Sequence, residues 1–155
     1  MNSKSLYLAL TEIGRLTSRE TMLWRLNDSV NLYLQAVPIS PMNLDIATNP
    51  SGFQKFEKVL KKYSPVKSYS EKAKVQSLKC RIANIDIEIL SYEDNRAMLS
   101  DIIPISWSRL ILPGISIKDA RKFYEIIQNQ ERINIIDKFI FHLYENKARA
   151  NPQKP

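Results

Sequence analysis

The chain has 155 residues, 44% of them hydrophobic and 25% charged, with a net charge of +7, one cysteine and one histidine. This is one domain's worth of chain, long enough to bury a core without disulfide staples. No apolar run approaches the roughly 20 residues that cross a bilayer and no signal-peptide pattern opens the chain, so a cytoplasmic protein is expected.

Residues 3–16 carry Leu6, Leu10, Ile13 and Leu16 at helical spacing, which predicts a helix with one buried stripe. A polar connection leads to a first strand, Met22 to Leu26. The turn Asn27-Asp28-Ser29 offers three good N-cap residues, and Val30, Tyr33, Leu34 and Val37 then define a helix over 29–37 that ends before Pro38. Met42 to Thr48 alternates strictly, with Met42, Leu44 and Ile46 on one side of a predicted strand and Asn43, Asp45 and Ala47 on the other.

A turn at 49–52 precedes a helix marked by Phe53, Phe56, Val59, Leu60 and Tyr63, with lysines on its opposite face. A short strand is expected over 66–69. The runs 75–82 and 85–90, joined by Ala83-Asn84, read as a hairpin in which Asp86 and Glu88 share one face. Residues 91–103 read as loop or short helix, 107–112 as a strand, and Pro113-Gly114 as a turn. Two helices, 116–128 and 131–145, close the chain as a helical hairpin. A single domain over 1–146 is expected, followed by a disordered basic tail, 147–155.

Charge is unevenly placed. Residues 54–81 hold nine basic side chains against Glu57 and Glu71, while the remainder balances, so the whole excess lies in one segment. Such concentration favours a phosphate-bearing partner, nucleic acid or nucleotide. Cys80 alternates with Leu78 and Ile82, as a buried strand cysteine would. One cysteine and His142 cannot make a usual zinc site.

The stretch from Trp24 to Thr48 resembles the minimal nucleotidyltransferase fold, and more narrowly its small bacterial and archaeal members related to AbiEii-type toxins. The likeness is carried by Trp24, Leu26, Ser29, Leu32, Leu34, Gln35, Asp45 and Ile46, and it runs on through Ile89 and more loosely to Tyr144. It implies an α+β fold, a mixed β-sheet flanked by helices with a C-terminal helical hairpin. In that family a Gly-Ser turn binds phosphate at a helix N-terminus and carboxylates hold magnesium on the nucleoside triphosphate. The resemblance assigns phosphate binding to Ser29, metal binding to Asn43, Asp45 and Glu88, and catalysis to Asp45 and Glu88, with Asp86 a neighbour or substitute.

Two positions depart from the family pattern. Asp28 stands where the family has glycine, and Asn43 where it has the first aspartate. Asp28 is expected to cap the helix with its carboxylate and so occupy the anion site from within; as a rescue, it could replace the metal charge lost at Asn43. Three readings follow: a protein of this fold that binds RNA or a protein partner, as in a toxin–antitoxin pair, without transferring nucleotides; an active magnesium-dependent transferase; or an unrelated small α/β protein.

Overall fold

A computed structural model describes residues 1–151. The elements run α1 (Ser3–Thr17), β1 (Trp24–Asn27), α2 (Asp28–Tyr33), β2 (Leu44–Thr48), α3 (Pro50–Val59), β3 (Val66–Ser70), β4 (Val75–Ile82), β5 (Ile85–Tyr92), β6 (Ile103–Trp107), β7 (Leu110–Gly114), α4 (Ile117–Ile126) and α5 (Gln130–Ala150). Five strands form one mixed sheet in the order β1-β2-β5-β4-β3, and β6 and β7 pair separately. Within the large sheet β2 and β5 are parallel and the other pairs antiparallel. Among the described residues no helix is long and apolar enough to cross a membrane.

Two apolar clusters lie on opposite faces of the sheet. The larger packs Leu6, Leu10 and Ile13 of α1 and Phe53 and Phe56 of α3 against Leu26, Ile46, Leu78, Ile87 and Ile89 of the strands. The smaller packs Ala120, Phe123 and Tyr124 of α4 and Ile133 and Ile136 of α5 over Ala47. Period-two alternation along the strands therefore separates two environments, one beneath α1 and α3 and one beneath the α4–α5 hairpin. The hairpin covers the β1–β2 side of its face; Glu88, Lys79 and Val66 on the far side keep access to solvent.

The expected helices and the β4–β5 hairpin form, the latter through Ala83 and Asn84, both with positive φ (50° and 64°) as a tight two-residue hairpin turn requires. Five local expectations are corrected. The helix expected over 29–37 is regular only to Tyr33. It then tightens and ends in a Schellman motif: Ala36 takes φ 67°, and the Val37 N–H donates to the Leu32 carbonyl at 3.1 Å. The second strand begins at Leu44, leaving Met42 89% exposed and Asn43 in a bend. Its neighbour β1 stops at Asn27, where the chain turns into α2, so nothing on that side remains for residues 42 and 43 to pair with.

Residues 91–103 hold a short helix at Arg96–Met98, as expected, but the strand expected over 107–112 is split by a turn between β6 and β7, and Pro113-Gly114, expected as a turn, lies inside β7. The turn falls at Ser108-Arg109 instead, with Ser108 at φ 55°. Gly114 is required for space: a Cβ there would meet Ile105 Cδ1 at 2.1 Å and the Asn31 amide oxygen at 2.6 Å. Finally, α5 continues to Ala150, so residues 147–150 of the expected tail are helical; 152–155 lie outside the described residues.

Two buried polar side chains tie distant elements together. Asn31 on α2 accepts from the Ile115 N–H at 3.0 Å and donates to the Ile115 carbonyl at 3.1 Å, joining α2 to the segment that enters α4. Arg25 on β1 is 1% exposed and has no carboxylate within 4 Å among the described residues. Its guanidinium donates to the carbonyls of Ala97 (2.7 Å) and Leu26 (2.8 Å) and to Asn27 Oδ1 (3.0 Å), and lies 5.5 Å from the centre of the Phe123 ring. Burial lowers its pKa to about 10, which leaves it charged at neutral pH.

Asn31→Ala strands the Ile115 N–H in the interior, while Gln35 still serves the Ile115 carbonyl at 2.8 Å. A loss of about 2–3 kcal/mol is expected, seen in urea as a lower midpoint with an unchanged slope.

Candidate functional site

The strand registers place one rung of side chains straight across the sheet on the hairpin side: Asn27, Asp45, Glu88, Lys79 and Val66, from β1, β2, β5, β4 and β3 in turn. Asp45 and Glu88 are therefore brought side by side by the parallel pair. Asn43, one bend before β2, reaches back so that its Nδ2 donates to Asp45 Oδ1 at 2.5 Å. Lys79 lies 3.5 Å from Glu88, and Arg81 lies 3.6 Å from Asp86, which follows on the same face toward the hairpin turn. Ser29 is buried in the first turn of α2. Asn43, Asp45 and Glu88 thus lie together at one end of the hairpin-covered face, and among the described residues no contact of the Ser29 side chain ties it to them.

Asp28 does not cap α2, correcting that expectation. The N-cap residue is Asn27, which makes no side-chain cap bond, and Asp28 itself has φ 47°, the left-handed conformation that glycine adopts without cost. Its carboxylate turns toward the C-terminal hairpin. Asp28 Oδ1 accepts from the Tyr124 hydroxyl at 2.8 Å and from Arg132 Nε at 2.9 Å. The aspartate is about a third exposed and the arginine about a fifth, so this pair is better shielded from water than a surface ion pair and more strongly held. Tyr124 and Arg132 were not identifiable in sequence. Both sit in helices whose apolar positions explain them as packing elements, and no spacing rule links residue 28 to residues 96 and 104 positions away.

Asp45 is 6% exposed. Burial pushes its pKa from an ordinary 3.8 up to about 7, and the carboxylates of Asp28 and Glu88 push it the same way; Arg132 and Lys79 oppose them. The space beneath the hairpin, lined by Asn27, Asp28, Asp45, Glu88, Phe123 and Tyr124, amounts to about 100 Å³. Small-molecule sites usually span about 300–1,000 Å³, so this cleft by itself is smaller than a usual ligand site. A groove of about 560 Å³ opens beyond Glu88, lined by Val66, Lys79, Arg81, Asp86 and Glu88 among others.

The side chains that would receive a magnesium ion are engaged with one another or with cations. Such an ion is held by one or two ionised carboxylates and the substrate's phosphates. Here Asn43 turns its N–H toward Asp45, Asp45 is itself half protonated near neutral pH, and the cations Lys79 and Arg132 already accompany Glu88 and Asp28. Among the described residues, no three His, Cys, Asp or Glu side chains are grouped so that they could hold a metal ion. Cys80 is half buried and its thiol is pushed up to about 11 by burial, which leaves it a poor nucleophile.

No family model and no curated protein matches the sequence. Solved structures do match its shape. A candidate nucleotidyltransferase from Thermotoga maritima, TM1012, superimposes with a TM-score of 0.70 at 18% identity, over 92% of this chain and 96% of that one. The lincosamide antibiotic adenylyltransferase LnuA, solved with lincomycin bound, superimposes with a TM-score of 0.58 at 12% identity, over 88% and 97%. At these identities the likeness shows the fold: the chain has a nucleotidyltransferase-like architecture.

The raised pKa of Asp45 makes stability depend on pH. The folded state keeps a proton that the unfolded chain gives up above about pH 4, so stability falls as pH rises from about 4 to 7 and levels off above. The full cost is on the order of 4 kcal/mol. Asp45→Asn is expected to match the natural chain near pH 4 and to exceed it by a few kcal/mol at pH 8, measured by chemical unfolding at each pH.

Proposed function

We propose that this chain uses a nucleotidyltransferase-like scaffold for binding rather than for nucleotide transfer. The reading is carried by one observation: the Asp28 carboxylate stands in the turn that would face phosphates and is held by Tyr124 and Arg132 from the C-terminal hairpin. A triphosphate entering there would meet a carboxylate in place of glycine. It would also have to displace a guanidinium that already has its anion. The carboxylates at Asp28, Asp45 and Glu88 are answered from within by Arg132, Asn43 and Lys79, and the space directly beneath the hairpin, about 100 Å³, is below the usual size of a ligand site. Asn43 in place of an aspartate supports the same reading, since it removes a negative charge that a metal would need.

With transfer set aside, the basic segment 54–81 is the surface by which the protein meets its partner. Its cations are spread over α3, the turn at Lys61–Tyr63, β3, the turn after it and β4, at the β3–β4 end of the sheet, with Lys79 reaching the edge of the cleft at Glu88. The partner is a nucleic acid or another protein.

The test is a calorimetric titration with magnesium and each nucleoside triphosphate, run on the natural chain and on the Asp28→Gly/Asn43→Asp variant. The natural chain is expected to give no heat up to millimolar nucleotide. The variant frees Arg132 and Tyr124 to face a phosphate and restores the missing carboxylate, and is expected to bind. Metal-dependent binding by the natural chain would overturn the reading and restore the transferase.

A further inference from the structure

We propose that β3 is a docking edge at which an extended acidic peptide adds to the sheet as a sixth strand. This rests on the binding reading above and names the partner. The large sheet ends at β1 on one side, where β7 lies against it, and at β3 on the other, which pairs with β4 alone. All five residues of β3, Val66–Ser70, are exposed. Among the described residues none of their backbone groups hydrogen-bonds to any main chain other than β4. Every other residue of β3 therefore turns an unpaired N–H and C=O outward, the arrangement to which an extended segment adds.

Natural edges are blunted by very short strands, by lysine or proline on the edge, by a bulge or by an inward charge. β3 has no proline and pairs with β4 in unbroken register. Its one charge, Lys67, is engaged by Glu57 at 3.1 Å. Apolar surface waits on both faces of the edge: Val66 is 67% exposed and Tyr69 43%, and alternation places them on opposite sides.

The surrounding charge selects an acidic peptide. Lys61 and Lys62 precede the strand, Lys72 and Lys74 follow it, and Lys79 and Arg81 stand on β4 beside it. A side chain arriving next to Val66 on the hairpin side lies at the mouth of the 560 Å³ groove, with Lys79 and Arg81 on its wall. Both cations have solvent-exposed side chains and only loose contacts with Glu88 and Asp86, 3.5 and 3.6 Å, so they can turn to an incoming carboxylate at little cost.

A nucleic acid fits this surface less well. Five of the nine cations in residues 54–81 (Lys62, Lys67, Lys74, Lys79 and Arg81) lie within 4 Å of a carboxylate. A phosphate backbone following them would pass over Glu12, Glu57, Glu71, Asp86 and Glu88. A peptide strand draws its affinity from the backbone edge and needs acidic side chains only where cations are free to turn.

The experiment uses the full chain and an array of short synthetic peptides that alternate aspartate or glutamate with valine, isoleucine or threonine, read by fluorescence anisotropy, with a single-stranded RNA as competitor. Acidic alternating peptides are expected to bind, and methylating alternate backbone nitrogens of the peptide is expected to weaken them about tenfold or more, as lost strand hydrogen bonds would. Hydrogen exchange of the amides in 66–70 should slow on binding, and Lys79→Ser/Arg81→Ser should weaken the peptides severalfold while the far-ultraviolet circular dichroism shows the variant still folded. The proposal is overturned if no peptide binds, if the methylated peptides bind as well as their parents, or if RNA alone binds with a steep salt dependence. That last result would leave the binding reading intact, whereas magnesium-dependent binding of nucleoside triphosphate by the natural chain would remove the reading whatever the peptides do.

Discussion

The parallel pairing of β2 with β5 is the constraint on which the site face depends. It is the one parallel contact of the sheet, and it brings residues more than forty positions apart into a single rung, Asp45 beside Glu88. Two carboxylates abreast in a half-closed cleft repel one another and resist desolvation. The chain answers by protonation at Asp45, by the Asn43 amide and by Lys79 on the neighbouring strand. Each device acts locally, and each follows from where the parallel register places the acids.

Asp28 belongs to the same electrostatic problem seen from the other side of the cleft. Left facing Asp45 without a partner, its carboxylate would add a third negative charge. Tyr124 and Arg132 draw it toward the hairpin, and the unfavourable φ at this residue, worth about 1–2 kcal/mol, is held by those two bonds. A helix cap would have left Asp28 independent of the C-terminal elements; the observed contacts make the turn between β1 and α2 and the hairpin one unit.

The fold was legible to the extent that periodicity and turn chemistry are local. The α1 stripe, the β4–β5 hairpin at Ala83-Asn84 and the helix opened by Ser116 are all decided by neighbouring residues. Where partners decide, the sequence was silent or misleading: Met42 alternates correctly with Leu44 and Ile46, yet β1 ends too soon to pair with it, and Pro113-Gly114 has turn composition but sits in β7 because Gly114 must clear Ile105 and Asn31. The resemblance singled out Asp45, Glu88 and Asn43, which the strand register and the bend before β2 set side by side. Tyr124 and Arg132 could not be found this way, because their role is fixed by a meeting across some hundred residues.

Arg25 carries a consequence for which substitutions this fold can accept. A lysine in its place would keep the charge but lose the planar fork that reaches Ala97, Leu26 and Asn27 at once. Burial would also drive an ammonium toward its neutral form more readily than a guanidinium. The usual exchange between the two basic residues is therefore closed at this position, and a neutral replacement leaves three acceptors dry. Drift at β1 must route around residue 25, so the strand's sequence is held fixed by a side chain that solvent scarcely reaches.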